Sequence, residues 1–151
     1  MSELYYESIT DKNFQYHEIE EYKDLCYLRH PSGVIVVSLN KDHVGMGEEI
    51  VKVEWDVNKK GADKVKSNIV GRGKKGGRTL YPNTTLCILM TKSGKEYPIK
   101  FGMKASCIEM NDRLEANPDL VRKYPINHGY LAIVMPNNED RRDVPKIFRS
   151  D

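Results

Sequence analysis

The sequence predicts a mainly β protein, folded as a barrel or a sandwich, with helical structure limited to short turns near residues 111–124. Its apolar runs are short, rich in β-branched and aromatic residues, and follow one another closely along the chain. Glycine, proline, asparagine and serine separate these runs, as they do in tight turns. Many short strands joined by turns are typical of β barrels and sandwiches. A length of 151 residues suits one domain with a single core.

The first strands form a predicted β-hairpin. Residues 25–30 and 34–39 are apolar runs on either side of residues 31–33, which have the composition of a tight turn. Residues 50–57 then alternate between apolar and polar types, which predicts a half-buried strand. Trp55 belongs to this alternation, so we expect it in the core rather than in a ligand site.

A second hairpin follows later in the chain. Residues 86–91 and 96–101 are strand-type runs that enclose a polar turn at 92–95. Further strands are predicted for residues 65–70, 105–110 and 130–135.

The helical signal lies between the last two of these strands. Asn111 can cap a short turn that runs through Leu114. Asn117 places a second capping side chain before Pro118, at the first helical position, and Pro125 ends that turn.

Segments of different composition flank the predicted domain, which spans residues 25–136. Residues 1–24 are expected to form an irregular arm that packs its aromatic side chains on the domain. The alternative is an aromatic strip that faces a partner. The aromatic residues of this arm are Tyr5, Tyr6, Phe14, Tyr16 and Tyr22. Residues 137–151 are charged and interrupted by proline, so we predict a mobile tail.

Composition and charge exclude several classes of protein. With 39% hydrophobic and 30% charged residues the chain is not compositionally disordered, and a net charge of +2 confines electrostatic steering to local patches. Three cysteines without C-x-x-C spacing lie in apolar runs, which predicts buried reduced thiols. The sequence shows no signal peptide and no apolar run of roughly 20 residues that could span a membrane. We therefore expect the protein in the cytoplasm and nucleus, without a membrane partner.

The loop at residues 71–78 concentrates four cations among four glycines. Exposed backbone N–H groups and positive charge suit phosphates, an RNA backbone or an acidic protein surface. The alternative is a solvated loop without a ligand. The loop lacks the G-K-[ST] spacing of a P-loop, and without interleaved aromatic residues it does not indicate base stacking.

Residue types that carry catalysis or bind metals are present but scattered. A nucleophile pair built on Cys87 or Cys107 and a histidine stays open, although their apolar flanks predict inert thiols. No paired carboxylates, nucleophile elbow or dinucleotide fingerprint occurs in the sequence. The histidines have no metal-ligand spacing to one another or to the cysteines; they are His17, His30, His43 and His128. We expect a protein that is not an enzyme and that has no cofactor and no metal.

Two stretches near the end of the domain carry a family resemblance. Residues 107–121 combine a strand that ends in Asn111 with two short helical turns through Pro118, and residues 129–134 form a strand opened by Gly129. Together they resemble the last third of the glycine cleavage system H protein family. This resemblance implies a barrel-sandwich hybrid fold, related to lipoyl and biotinyl carrier domains.

A broader pattern extends over most of the chain. It comprises the hairpin from Cys26 to Leu39, His43, the basic glycine loop, Leu86-Cys87, Gly94 with Glu96-Tyr97, Met110-Asn111, and residues 129–136. In this order the pattern resembles the Abitram family, also called Simiate, whose members are described as actin-binding transcription modulators. The resemblance implies nuclear and cytoplasmic residence and protein partners, with actin as the named ligand. It also implies a link to a zinc-finger chaperone that assists folding of the translation elongation GTPase.

The turn at residues 92–95 decides between two interpretations of the fold, a lipoyl carrier and a binding protein without a carrier lysine. A lipoyl carrier displays its lysine at a hairpin tip, and the H-protein pattern places that position near Gly94, beside Lys95. H-protein-like sites have a glutamate shortly before the lysine and small residues after it, whereas Lys95 follows Thr91-Lys92-Ser93 and precedes Glu96. Lys95 is therefore rejected as a lipoyl site, and the turn is interpreted as a polar hairpin tip.

These observations predict a non-enzymatic protein-binding adaptor of the Abitram type. Two alternatives stay open: a lipoyl-carrier-like H protein component, and a small RNA-binding barrel that makes weak nucleic-acid contact through the basic loop. The predicted partner-binding residues lie in the basic loop, the N-terminal arm and the segment 111–124. They are Arg72, Lys74, Lys75, Arg78, Tyr5, Tyr6, Phe14, Tyr16, Asn111 and Tyr124.

Overall fold

Two antiparallel β-sheets make up the computed structural model of this protein, which describes residues 14–55, 79–136 and 144–148. The larger sheet has six strands in the order β1-β2-β3-β9-β8-β5. These strands are β1 (Gln15–Ile19), β2 (Tyr22–Arg29), β3 (Ile35–Leu39), β5 (Thr79–Leu80), β8 (Ala105–Met110) and β9 (Ala132–Met135). The smaller sheet has three strands in the order β4-β6-β7. They are β4 (Ile50–Trp55), β6 (Thr85–Thr91) and β7 (Glu96–Lys100).

Side chains from both sheets share one core. The alternating pattern of β4 buries Val53 and Trp55, so the prediction of Trp55 as a core residue is confirmed. Tyr27 of β2 is fully buried, and its hydroxyl donates to the carbonyl oxygen of Phe101 over 2.5 Å. This bond lets a large polar aromatic side chain lie in an apolar interior, because its hydroxyl keeps a hydrogen-bond partner.

The larger sheet is covered on its other face as well. Consecutive residues of β2 and β3 are buried, which places alternate side chains on opposite faces of the sheet. The outward side chains form a second apolar cluster of Leu28, Val36, Tyr130 and Ile133. Phe14, Val34, Ile108 and Ile126 pack over this cluster.

Both predicted hairpins are confirmed. β2 pairs with β3, and β6 pairs with β7, each in antiparallel register. The second turn holds Gly94 at φ 95°, its N–H donates to the Thr91 carbonyl, and the Thr91 N–H donates to the Lys95 carbonyl. This is a three-residue hairpin loop in which glycine supplies the left-handed position that other residues adopt at a cost.

Two single helical turns fill the segment predicted to be helical. They are α1 (Arg113–Ala116) and α2 (Leu120–Lys123). Each begins later than expected, with Asp112 and Asp119 at the N-cap positions. Asn111 still accepts a hydrogen bond from the Arg113 N–H, so it stabilises the entry to α1.

The flanking segments differ from the sequence prediction where the structure describes them. Residues 15–19 form strand β1, paired with β2, instead of an irregular arm. Their backbone forms hydrogen bonds with the edge of β2, which satisfies the polar groups of both strands. Residues 144–148 form a packed segment with the 3-10 helix Lys146–Phe148, in contrast to the predicted mobile tail. The predicted strand at 65–70 and the basic loop lie outside the described residues. No helix within the described ranges is long and apolar enough to cross a membrane.

Candidate functional site

A groove of about 520 Å³ lies between the start of β4 and the two helical turns. We call it the β4–α2 groove. One wall comes from Glu49, Ile50 and Val51. The other wall comes from Ala116, Asn117, Pro118, Asp119, Leu120, Arg122 and Lys123. The second wall belongs to the segment 111–124, which the sequence predicted as part of an interface.

Asp119 fixes the two walls to each other. Its Oδ1 accepts hydrogen bonds from the Ile50 N–H at 2.8 Å and from Arg122 Nε at 2.8 Å, and its Oδ2 accepts from Arg122 Nη2 at 2.7 Å. Partial burial raises the pKa of the Asp119 carboxyl, but the bonds from Arg122 and the Ile50 amide outweigh it and lower that pKa below its usual value. Asp119 is therefore an ionised staple between two segments that are distant in sequence.

The groove combines apolar surface with charges at its rim. The side chain of Val51 is 46% exposed, and Leu120 is half-buried on the opposite wall. Glu49 and Lys123 are exposed beside them. Within the described residues β4 pairs with β6 alone. The groove thus presents partly exposed apolar side chains bordered by charge, between walls that Asp119 joins.

Asn111 does not have the exposed position that the prediction of a contact residue requires. Its side chain is buried, and its two amide hydrogens are donated to the carbonyl oxygens of His128 and Tyr130 at 2.7 and 2.8 Å. Its Oδ1 accepts from Arg113 N–H. The Asn111 amide is thus fully used in holding the start of α1 to residues 128–130, which precede β9. This corrects the expectation that Asn111 contacts a partner.

The other predicted contact residues have separate surroundings. Tyr124 follows α2, is 51% exposed, and meets the His128 ring edge-on with centroids 6.3 Å apart. Tyr16 of β1 is also exposed, and its hydroxyl donates to Glu18 Oε2 at 2.6 Å. Phe14 packs over the outer cluster of the larger sheet. Arg72, Lys74, Lys75, Arg78, Tyr5 and Tyr6 lie outside the described residues, so their roles stay predictions.

The hairpin tip that carries Lys95 is tied to the residues before β4. Ser93 Oγ donates to Glu48 Oε2 at 2.8 Å, and the Ser93 N–H donates to Glu48 Oε1 at 3.2 Å. These hydrogen bonds from Ser93 lower the pKa of the Glu48 carboxyl. Lys95 itself is exposed, and its backbone N–H donates to Thr91 Oγ1. These two bonds fix the hairpin tip to the residues before β4.

The three cysteine thiols are free and buried, as predicted. Burial raises the pKa of Cys26 to about 11 and that of Cys107 to about 12, and it raises the pKa of Cys87 as well. Such thiols remain protonated at neutral pH and are poor nucleophiles. In the part of the chain that the structure describes, no group of three histidine, cysteine, aspartate or glutamate residues is placed to hold a metal ion.

Sequence reasoning missed the residues that build the groove. Asp119 and Arg122 are three residues apart, a spacing that brings side chains together on a helical turn, and this was the available signal. The hydrogen bond from the Ile50 N–H to Asp119 joins positions 69 residues apart, and no local pattern reveals it.

Comparisons with known proteins agree with the two resemblances found in the sequence. No model of a known protein family matches the chain. An uncharacterized protein of Caenorhabditis elegans is 38% identical over 135 residues, which cover 89% of this chain and 84% of that protein. Protein Abitram of Dictyostelium discoideum is 30% identical over 134 residues, with 89% and 70% covered. Protein Abitram of Gallus gallus is 27% identical over 124 residues, with 81% and 71% covered.

A solved structure supports the fold. The crystal structure of a glycine cleavage system H protein from Mycobacterium marinum superposes with a TM-score of 0.58 at 12% identity, covering 81% of this chain and 84% of that one. The predicted barrel-sandwich fold of lipoyl carriers is therefore confirmed. Together with the sequence identities above, these findings show that the chain belongs to the Abitram family.

Proposed function

We propose that this protein is a non-enzymatic adaptor that binds protein partners through the β4–α2 groove. The observation that carries the proposal is the juxtaposition of exposed Val51 with charged groups at the rim of a groove whose walls are fastened by Asp119. Exposed apolar residues surrounded by polar groups become binding hot spots when a partner excludes water from them.

The fastening of the groove also favours binding of another chain. Asp119 is held by Arg122 and the Ile50 N–H before any partner arrives, so the walls need little ordering on association. A preorganised surface loses less conformational entropy on binding, and this saving adds directly to affinity.

The family resemblance supplies the identity of the proposed partners. We propose that they are actin, or the zinc-finger chaperone that assists folding of the translation elongation GTPase, in the cytoplasm and nucleus. Contacts from the basic loop, residues 71–78, would add electrostatic attraction to an acidic partner surface.

The test compares two exposed valines in binding assays with purified actin and with the purified chaperone. Val51→Glu places a charge in the groove, whereas Val44→Glu places the same charge at a more exposed valine (68%) on the 3-10 turn Val44–Gly47. We expect Val51→Glu to weaken binding of one partner about tenfold or more, the effect of a single hot spot. Val44→Glu should leave it unchanged. Equal affinity of both variants and the wild type for both partners would contradict the proposal.

A carrier function is the second candidate, and the H-protein-like fold with an exposed lysine at the hairpin tip favours it. Intact-mass measurement of the protein from its native source decides this point. A lipoyl-sized adduct that disappears in Lys95→Ala would establish the carrier. A mass equal to that of the unmodified chain supports the adaptor.

RNA binding through the basic loop is tested by salt titration. An RNA-binding barrel requires an affinity that falls steeply with salt and that drops when Arg72, Lys74, Lys75 and Arg78 become alanine. An affinity that these changes leave intact, or no RNA binding at all, removes this alternative. Loss of protein binding in the same variant would assign the loop to the protein partner.

A further inference from the structure

His43 stands at the entry to the 3-10 turn Val44–Gly47, and its side chain is only 7% exposed. Its Nδ1 accepts a hydrogen bond from the Gly45 N–H at 2.9 Å, and its main-chain carbonyl accepts from the Met46 N–H at 3.0 Å. The imidazole therefore caps the turn as an N-cap side chain does, because it satisfies an amide that the turn itself leaves unpaired.

This cap fixes the position of the ring proton. A ring nitrogen that accepts a hydrogen bond carries no proton, so Nδ1 of His43 is unprotonated and the proton of the neutral ring lies on Nε2. Nε2 lies 3.4 Å from Oδ1 of Asp24. A cationic imidazole donates from both nitrogens, so the conformation in the structure is one that only the neutral ring can hold.

Side chains from both sheets hold the imidazole. The Tyr97 ring of β7 meets it edge-on with centroids 5.4 Å apart, and the Asp24 carboxylate of β2 lies at its Nε2. These two are the titratable groups that face His43 among the described residues; Lys41 and Asp42, beside it in the chain, are exposed. The ring is thus held between the larger and the smaller sheet.

A second proton on the ring changes its two polar contacts in opposite directions. The contact with Asp24 becomes stronger, because a cation then faces a carboxylate. At Nδ1 the acceptor is lost, and the N–H groups of the ring and of Gly45 point at each other. Since Asp24 and Tyr97 keep the ring in place, the turn loses its cap and moves away from it.

The turn leads directly to the residue that fastens the hairpin tip. Glu48 is the C-cap of the turn, and both of its carboxylate oxygens accept hydrogen bonds from Ser93. These bonds keep the pKa of the Glu48 carboxyl below its usual value, so Glu48 stays ionised in the pH range in which histidines change charge. A loss of the Glu48–Ser93 bonds in that range therefore follows from movement of Glu48 and not from its protonation.

We propose that His43 is a pH-sensitive switch in the connection between the two sheets. With a neutral imidazole it closes the turn Val44–Gly47 and keeps Glu48 on Ser93. Protonation of the ring opens the turn and loosens the hairpin tip that carries Lys95. The switch lies within one chain and needs no partner, so it is independent of the proposed binding at the β4–α2 groove.

The test compares amide hydrogen exchange of the full chain at about pH 7.5 and about pH 5.5, as protection factors corrected for the intrinsic effect of pH. We expect the protection of Gly45 and Ser93 to fall about fivefold at the lower pH, the effect of one lost hydrogen bond. His43→Asn is the decisive variant, because an asparagine carboxamide caps the same N–H without a titratable proton. Its protection factors at these two amides should be equal at both pH values.

His30→Asn is the matched control. His30 Nδ1 accepts from the Ser32 N–H at 3.1 Å, in the turn between β2 and β3, so it makes the same kind of bond at a different place. This variant should keep the wild-type response at Gly45 and Ser93. Nitrogen NMR spectra of the imidazoles at the higher pH should place the proton of His43 on Nε2.

Several results would overturn the proposal. They are equal protection of Gly45 at both pH values in the wild type, a response that persists in His43→Asn, a response that disappears in His30→Asn, and a His43 proton found on Nδ1. A fall at Gly45 without a fall at Ser93 would also overturn it, since the turn would then open without loosening the tip. None of these measurements depends on the binding assays with Val51→Glu.

Discussion

Gly129 is a residue whose identity the packing dictates. A Cβ atom at this position would lie 2.0 Å from the carbonyl oxygen of Leu120, in α2, and 2.8 Å from that of Tyr124, which follows α2; both are backbone atoms. We expect Gly129→Ala to lower the free energy of unfolding by about 1–3 kcal/mol, the usual cost of overpacking. Gly47→Ala is the matched control, because its Cβ would meet no atom within 4 Å. Urea denaturation should show a shifted midpoint for the first variant and an unchanged or slightly higher midpoint for the second.

His17 makes stability depend on pH in a defined direction. Burial and the nearby Arg29 lower its pKa in the folded protein, so the unfolded chain binds the proton more readily. The stabilisation is complete above the unfolded pKa of about 6.5 and is lost as pH falls from there towards the lowered folded value. We expect the wild type to lose more unfolding free energy than His17→Gln between about pH 7.5 and pH 5.

Thermal unfolding of both proteins at a series of pH values provides this comparison. Carboxylates that titrate in the same range affect both proteins alike and cancel in the difference. Equal losses in the two proteins would show that protonation of His17 does not oppose the packing of the Phe148 ring.

At the scale of elements, Asp119 connects the α2 turn to the first residue of β4. Asp119→Ala removes the acceptor of the Ile50 N–H and of Arg122, and we expect it to cost about 1–2 kcal/mol of stability. Asp112→Ala is the control, since Asp112 holds the same N-cap position in α1 without a side-chain cap bond. Amide hydrogen exchange at Ile50 should accelerate in the first variant and stay unchanged in the second. Unchanged exchange in both would mean that the groove walls are fastened elsewhere.

The elements that the sequence predicted well are those with local signals. Both hairpins follow from turn residues between apolar runs, and Gly94 at φ 95° shows why the second turn needs its glycine. The strand at Ile50–Trp55 follows from its alternation. These features depend on residues a few positions apart, which a reading of the sequence can compare directly.

The elements that were missed depend on distant partners. β1 is five residues long and has four of its five side chains exposed or half-buried, and it becomes a strand because β2 supplies hydrogen bonds along its edge. The segment 144–148 is ordered by the rings of His17 and Tyr27, which lie more than a hundred positions away. The β4–α2 groove likewise exists only after two remote segments meet. Composition and periodicity do not reveal contacts between segments that are so far apart in the sequence.

At the scale of the whole molecule, the described residues have a lipoyl-carrier-like fold whose hairpin tip is fastened. In this chain Glu48 holds the tip through Ser93, and the β4–α2 groove lies on other elements. This groove fits the proposed adaptor function, since binding a protein there requires neither a cofactor nor a large movement of the strands.

The cysteines report whether the two sheets open as one unit. Cys87 belongs to the smaller sheet and Cys107 to the larger, and both are fully buried in the shared core. Cys26 lies outside this cluster, beside the exposed Tyr16 of the edge strand β1. Because buried thiols react with a thiol reagent only after opening, we expect Cys87 and Cys107 to be modified at one common slow rate that tracks global unfolding. Cys26 should react faster, through local fraying of β1.

Mass spectrometry of peptides after timed labelling gives the three rates. Low concentrations of urea should accelerate Cys87 and Cys107 by the same factor, because both depend on exposing the same core surface. The denatured chain, in which all three thiols react quickly, sets the upper limit. Different rates for Cys87 and Cys107 would mean that one sheet opens while the other stays folded, and the shared core would then not be the unit of stability.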